Sequence, residues 1–174
     1  MKNVEEKVLN NIPRKFIVDS MFGTVARKLR ILGFDTYYQS DFRDQDVIRI
    51  GVEQNRTIIT ADKELFSRLV NKKIPAILLT ATNDLYNVGS ILGCNAKKIS
   101  FNQNMARCSE CNGKLKECPK ETVKNKVADG VFQNYKFFFE CMDCSKVYWV
   151  GTHVGDIHLW VQRLNEIIRS ESST

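Results

Sequence analysis

Two kinds of residue in this 174-residue chain have the types and spacing to do chemistry: paired cysteines, and carboxylates that end apolar runs. Cys108-Ser-Glu-Cys111 and Cys141-Met-Asp-Cys144 are two Cys-x-x-Cys pairs. Together they offer four thiolates to a tetrahedral zinc, which then has no open position, so the metal they predict is structural and not catalytic. A redox dithiol is the competing reading. The 29 residues between the pairs exceed the usual ribbon spacing, and a strand hairpin with an added loop would span them. Asn112-Gly113 and Ser145-Lys146 follow the pairs and suit tight turns that aim backbone N–H groups at the sulfurs. Cys94 and Cys118 have no partner at metal spacing and read as ordinary small side chains. With four thiolates available, His153 and His158 are not needed as ligands.

The carboxylates are placed by strands. Phe16-Ile17-Val18 ends in Asp19, and the apolar run Thr57–Ile59 ends in Asp62. A carboxylate just past the carboxyl end of a parallel strand, on the turn into a helix, lies where open α/β sheets put their chemistry. Asp84 follows a further apolar run, and Asp44 and Asp46 open a helical pattern whose amino end falls on the same edge. Like charges gathered there repel unless a hard cation neutralises them. Mg²⁺ or Mn²⁺ prefers such oxygens and can activate a water against a phosphodiester. Asp44, Asp46 and Asp84 have a second reading as helix caps. Glu64 is a first-turn residue favoured by the helix dipole; Asp35 and Asp41 read as loop carboxylates. The Thr60 hydroxyl either bonds an Asp or a water held at the site, or Thr60 is simply a β-branched strand residue. Arg27 and Arg30 either bind phosphates or form a solvated helix face. Other chemistries lack their parts. No Gly-rich phosphate loop is present, Met21 occupies the place of an aspartyl phosphatase's second Asp, and no Ser or Cys has a His base nearby in sequence.

These residues need a frame that brings strand ends together. Strands are predicted at Lys15–Val18, Phe34–Tyr38, Thr57–Thr60 and Ala76–Thr80, the last an unbroken apolar run of the kind buried in parallel sheets. Helical spacing follows each: Met21 to Leu32 with Gly33 at the cap, Asp44 to about Gln54, Asp62–Val70 and Asn83–Leu92. Strand–helix alternation predicts an α/β fold with a mostly parallel sheet covered on both faces. Met1–Pro13 reads as a loose lead-in, and the chain changes character over Cys94–Met105. The predicted units are therefore 14–98, a ribbon at 105–155 with a strand over Tyr135–Glu140, and a last helix within 156–174, Asp156–Arg169.

Composition agrees: 43% hydrophobic and 26% charged residues describe a globular chain. No apolar stretch reaches the ~20 residues of a membrane span, and the charged N-terminus lacks a signal peptide's apolar core. A cytoplasmic location is expected, which favours metal binding over disulfides. The net charge is +6. Residues 1–104 carry 16 Lys and Arg against 11 Asp and Glu, and residues 105–174 carry 10 against 9. The carboxylate-bearing half is thus the basic one, which suits a polyanion such as nucleic acid, or serves solubility alone.

Several stretches carry a resemblance in combination: Phe16-Ile-Val-Asp19, Gly23-x-x-Ala-Arg-x-Leu-Arg-x-Leu-Gly-Phe-Asp35, Asp44-x-Asp46, Ile58-Ile-Thr-x-Asp62, and a ribbon ending Val147-Tyr-Trp-x-Gly-Thr-His153. Over roughly residues 14–155 the chain resembles the PIN-like RNase domain family named for the C-terminal domain of the exonuclease Mut-seven. The resemblance implies a PIN-like α/β/α sandwich acting on RNA with Mg²⁺ or Mn²⁺. The implied acids are Asp19, Asp44 or its neighbour Asp46, and Asp62; Asp84 is added here as a fourth. Ala61 stands where the family often has Arg, and Val154 where an aromatic is usual. The expected function is a metal-dependent ribonuclease with structural Zn²⁺, no membrane partner and no small-molecule cofactor. Its RNA contacts would come from Arg27, Arg30, Thr60, Tyr148 and Trp149, the last two stacking bases or packing under the ribbon. The alternatives are a non-catalytic adaptor for structured RNA, such as tRNA or the ribosome, and a protein-interaction module built on the ribbon and last helix.

Overall fold

The computed structural model describes residues 14–93 and 98–171. Its first part alternates β1 (Lys15–Val18), α1 (Gly23–Ile31), β2 (Asp35–Tyr37), α2 (Asp44–Glu53), β3 (Thr57–Thr60), α3 (Lys63–Asn71), β4 (Ala76–Leu78) and α4 (Asp84–Gly93). The strands form one sheet in the order β2-β1-β3-β4. Every pairing is parallel, with Phe16 opposite both Thr36 and Thr57, and Ile58 opposite Ala76. The chain leaves β1 toward β2 on one side and comes back to β3 on the other. That makes the crevice between the carboxyl ends of β1 and β3 the topological switch point, where parallel sheets bind ligands.

Alternate residues of the strands face opposite layers. Phe16, Val18 and Ile59 pack with Val25, Ala26 and Leu29 of α1 and with Val88, Ile91 and Leu92 of α4. Ile17 and Ile58 pack with Val47 and Ile50 of α2 and Leu65 and Leu69 of α3. β4 is a sheet edge and only half-buried, although its apolar run predicts an interior strand. Gly33 ends α1 at φ 93°, with Phe34 N–H bonded to Leu29 O at 3.0 Å and Gly33 N–H to Arg30 O at 2.9 Å. Only glycine takes that φ without strain, so the cap fixes the approach to β2.

The second part contains β5 (Leu115–Cys118), the short helix α5 (Asp129–Asn134), β6 (Phe138–Cys141) and β7 (Val147–Trp149). They form an antiparallel sheet in the order β5-β6-β7. A 3-10 turn at Lys120–Val123 and α5 occupy the long gap between the cysteine pairs. The expected strand over Tyr135–Glu140 starts only at Phe138.

The final helix, α6 (Thr152–Glu171), starts four residues before the predicted Asp156 and returns to the parallel-sheet body. Its Leu164 and Ile168 are buried in the body's core. Asn165 holds Ile99 at both backbone groups, accepting from its N–H at 2.7 Å and donating to its carbonyl at 2.8 Å. The ribbon is therefore inserted between two elements of one core. The lead-in Met1–Pro13 and Cys94 lie outside the described residues. Among the described residues, no helix is long and apolar enough to cross a membrane.

Candidate active site and metal centre

The four cysteine sulfurs converge. Their Sγ atoms all lie within 4.8 Å of one another. Cys108 and Cys144 are 3.6 Å apart, and Cys111 and Cys141 3.4 Å. Zinc–sulfur bonds of about 2.3 Å in a tetrahedron give sulfur–sulfur edges near 3.8 Å, so the set fits that metal. Each pair is closed by the same turn. Cys111 N–H points at Cys108 Sγ and Asp143 N–H at Cys141 Sγ, each at 3.5 Å. Asn112 and Ser145 then take φ of 72° and 60° to complete the turns. A Cβ on Gly113 would lie 2.6 Å from Cys141 Sγ, which is why glycine stands there. The Tyr148 hydroxyl is 3.0 Å from Cys108 Sγ. Burial opposes a thiolate at Cys108, but the Tyr148 hydroxyl and the neighbouring N–H groups outweigh it and bring the thiol down to about 7. Cys118, at the end of β5, stands outside the cluster.

The first cysteine turn is bolted to the edge of the parallel sheet. Thr36 N–H donates to Asn112 Oδ1 at 3.0 Å, and Arg30 Nε donates to Thr36 O at 2.9 Å. Both outward groups of the edge strand β2 are thereby satisfied by side chains. Arg30 also donates to the Ser109 and Glu110 carbonyls at 2.9 and 2.8 Å. Asp35 accepts from Arg56 at 2.6 Å and from Asn112 at 2.8 Å. Two expectations change. Arg30 is 3% exposed, with Nε and Nη1 donating to three carbonyls, so it does not form a solvated face turned to RNA. Asp35 is not a loop carboxylate but the anchor of this joint. The partners lie some 80 residues away along the chain, and no local pattern announces them.

The carboxylates divide. Asp19 and Asp62 emerge at the switch point and share one buried hydroxyl. Thr60 Oγ1 donates to Asp19 Oδ2 at 2.9 Å and accepts from Asp62 N–H at 3.0 Å. Asp19 N–H bonds Ile59 O at 3.0 Å, which ties the two strand ends together directly. Asp62 Oδ1 accepts from Glu64 and Leu65 N–H at 2.7 and 3.0 Å, so Asp62 also caps α3. Thr60 is fully buried and acts between the two acids, not on an RNA surface. Asp44 lies exposed on the first turn of α2. Asp46 is engaged by Arg43 at 3.6 Å and Arg49 at 3.4 Å. Asn83, not Asp84, caps α4. Asp84 pairs with Lys28 at 3.4 Å, and Lys28 in turn lies over the Trp160 ring. Among the described residues, no set of three carboxylates closes to within metal-binding distance. Arg27 remains on the surface, 3.8 Å from Glu110. Trp149 stacks on Tyr135 with ring centroids 6.2 Å apart.

A parallel α/β body with two carboxylates at its switch point thus carries a four-cysteine cluster that fits zinc. The chain belongs to the Mut7-C RNAse domain family, whose model matches residues 14–161. That span takes in the body, the ribbon and the first half of α6. No curated protein matches the chain.

Proposed function

We propose that this protein is a metal-dependent ribonuclease of PIN type, with its reaction centre at the carboxyl ends of β1 and β3. The observation that carries the proposal is the Asp19–Thr60–Asp62 bridge at the switch point of a chain that belongs to an RNase family. Mg²⁺ is commonly held by only one or two carboxylates, with waters and substrate phosphate completing its shell. Asp19 and Asp62 suit that role, and Asp44, exposed on the first turn of α2, is the candidate for a third. A bound Mg²⁺ or Mn²⁺ supplies charge neutralisation and a water of lowered pKa. The chain does the positioning. Thr60 fixes the Asp19 carboxylate by its hydrogen bond. The amino end of α3 lowers the cost of the Asp62 charge, and Oδ2 of Asp62 has no donor among the described residues. The zinc is structural in this scheme, held by Cys108, Cys111, Cys141 and Cys144. The protein is cytoplasmic and acts on single-stranded RNA.

A second reading is favoured by one observation: Asp84 is already neutralised by Lys28, and Asp46 by two arginines. With those acids occupied, the body would serve as a non-catalytic RNA adaptor. The discriminating measurement is Mn²⁺-dependent cleavage of a labelled RNA pool by the wild type and by an Asp19→Asn/Asp62→Asn double variant. Cleavage by the wild type that the double variant loses is the expected outcome. No cleavage by the wild type, with RNA binding retained by both proteins, would sink the nuclease proposal in favour of the adaptor. Equal cleavage by both would sink the site assignment.

A further inference from the structure

Between the ribbon and the body runs a groove of about 280 Å³, close to the lower end of ligand-sized sites. Its floor is apolar: Ile31 at the end of α1, Phe101, Phe139, Trp149, and Val154 and Ile157 from the start of α6. Its rim holds Lys146, together with His153, 3.9 Å from Asp156, and Arg107, which already bonds Asn112 O at 3.0 Å and lies 4.0 Å from Asp35; among the described residues no carboxylate lines it. Flat apolar faces below and an exposed lysine above match an unpaired nucleotide: the ring stacks, and the phosphate meets Lys146. An apolar peptide would use the floor but gains nothing from the Lys146 ammonium.

The groove lies at the carboxyl end of α1, whereas Asp19 precedes its amino end. Nine helical residues separate them, about 14 Å at 1.5 Å per residue. Arg27 lies on that helix, 60% exposed at its side chain. Glu110 currently holds both Arg27, at 3.8 Å, and Lys146, at 3.1 Å. These pairs are solvent-exposed and therefore weak, so a phosphate can displace the carboxylate.

We propose that the groove between ribbon and body is a base-binding subsite for single-stranded RNA, with Trp149 as its stacking face, Lys146 as its phosphate contact, and Glu110 as a competing anion that RNA displaces. The proposal rests on RNA being the ligand of this family member, and it places RNA on the ribbon side of α1 as well as at the acids.

The test uses the full, zinc-loaded chain and a labelled single-stranded RNA oligonucleotide without Mn²⁺, so that binding is read apart from cleavage. Trp149→Leu should weaken binding roughly fivefold to a hundredfold, the value of one stacked base. Glu110→Gln should tighten it by about twofold to fivefold by freeing two cations. Val154→Glu puts a carboxylate in the groove without touching Trp149, and should weaken binding should Trp149→Leu fail to fold. The chain has two tryptophans, so a Trp160→Phe variant leaves Trp149 as the sole reporter, and RNA should quench its fluorescence. Unchanged affinity in both Glu110→Gln and Val154→Glu, with zinc content and melting temperature preserved, would overturn the subsite. So would a Trp149 signal that ignores RNA but responds to an amphipathic peptide, which would assign the groove to a protein partner. RNA cleavage by wild type with unaltered affinity in every variant removes the groove and keeps the nuclease. Groove-dependent binding without cleavage does the reverse.

Discussion

Asp62 caps α3, and the metal-holding role proposed for it can be separated from that task. One carboxylate oxygen caps α3 through Glu64 and Leu65 N–H, and the other has no donor among the described residues. Asp62→Asn keeps a good capping group and removes the charge, so it should melt near wild type and lose RNA cleavage. Asp62→Ala loses the cap as well, and should cost about 1 kcal/mol more in a denaturant titration. Thr60→Val removes the bridge without changing side-chain shape. It strips Asp19 of a donor and leaves the Asp62 N–H without its acceptor. Thermal unfolding should register a loss of about 1–3 kcal/mol, and cleavage should fall even with Asp19 and Asp62 intact. Asp19 and Asp62 were legible in the sequence because an apolar run that stops at a carboxylate marks a strand end. The hydroxyl that joins them was legible only as one option for Thr60. The task of Arg30 was not legible at all: an arginine on a helix among other cations looks solvated, and its acceptors are backbone carbonyls from a distant part of the chain.

At the level of elements, the joint between β2 and the first cysteine turn decides how ribbon and body behave together. Asn112 combines a left-handed φ of 72° with hydrogen bonds to Thr36 and Asp35. Asn112→Gly retains the backbone freedom and deletes the side chain. The Thr36 amide should then exchange with solvent faster, and zinc should be lost to a chelator at lower concentration. Asp35 gives the joint a pH signature. Burial raises its pKa, but hydrogen bonds from Arg56 and Asn112 and the charges of Arg56 and Arg107 outweigh this and hold it below the usual carboxylate range. A depressed folded-state pKa contributes stability that is complete above the unfolded value, about 3.9, and is lost as pH falls through the folded one. The stability gap between wild type and Asp35→Asn should therefore be constant near neutrality and close below about pH 4, as read by chemical denaturation across pH. The alternation of the body was readable because apolar runs and 3.6-residue spacing announced each element. The ribbon's β5 and α5 were not: Leu115–Cys118 is half-buried at its ends and exposed at Lys116 and Glu117, and six residues of α5 are too few to show a period. The early start of α6 was hidden by Gly151 and Gly155, which punctuate the sequence like a loop.

Taken as a whole, the molecule sets its four-cysteine cluster in a segment that lies between two helices of one hydrophobic core. α6 closes the hydrophobic layer over α4, with Ile167 so near Gly89 that a Cβ there would come within 2.9 Å of it. The ribbon lies between those two helices in sequence and grips β2 in space. A chelator should therefore lower the melting temperature of the parallel-sheet body and not just loosen the ribbon, with circular dichroism at helical wavelengths and zinc release moving in one transition. Two independent transitions would show that the ribbon unfolds alone. The shielded edge of β2 has a further consequence. In the intact protein the Thr36 N–H and carbonyl are covered by Asn112 and Arg30. Remove the zinc, let the cysteine turn swing away, and the outermost strand of a parallel sheet is left with bare ladder groups facing water, ready to pair with the same strand of another molecule. For this protein, zinc supply would then govern solubility, and metal starvation would leave assembled chains behind it.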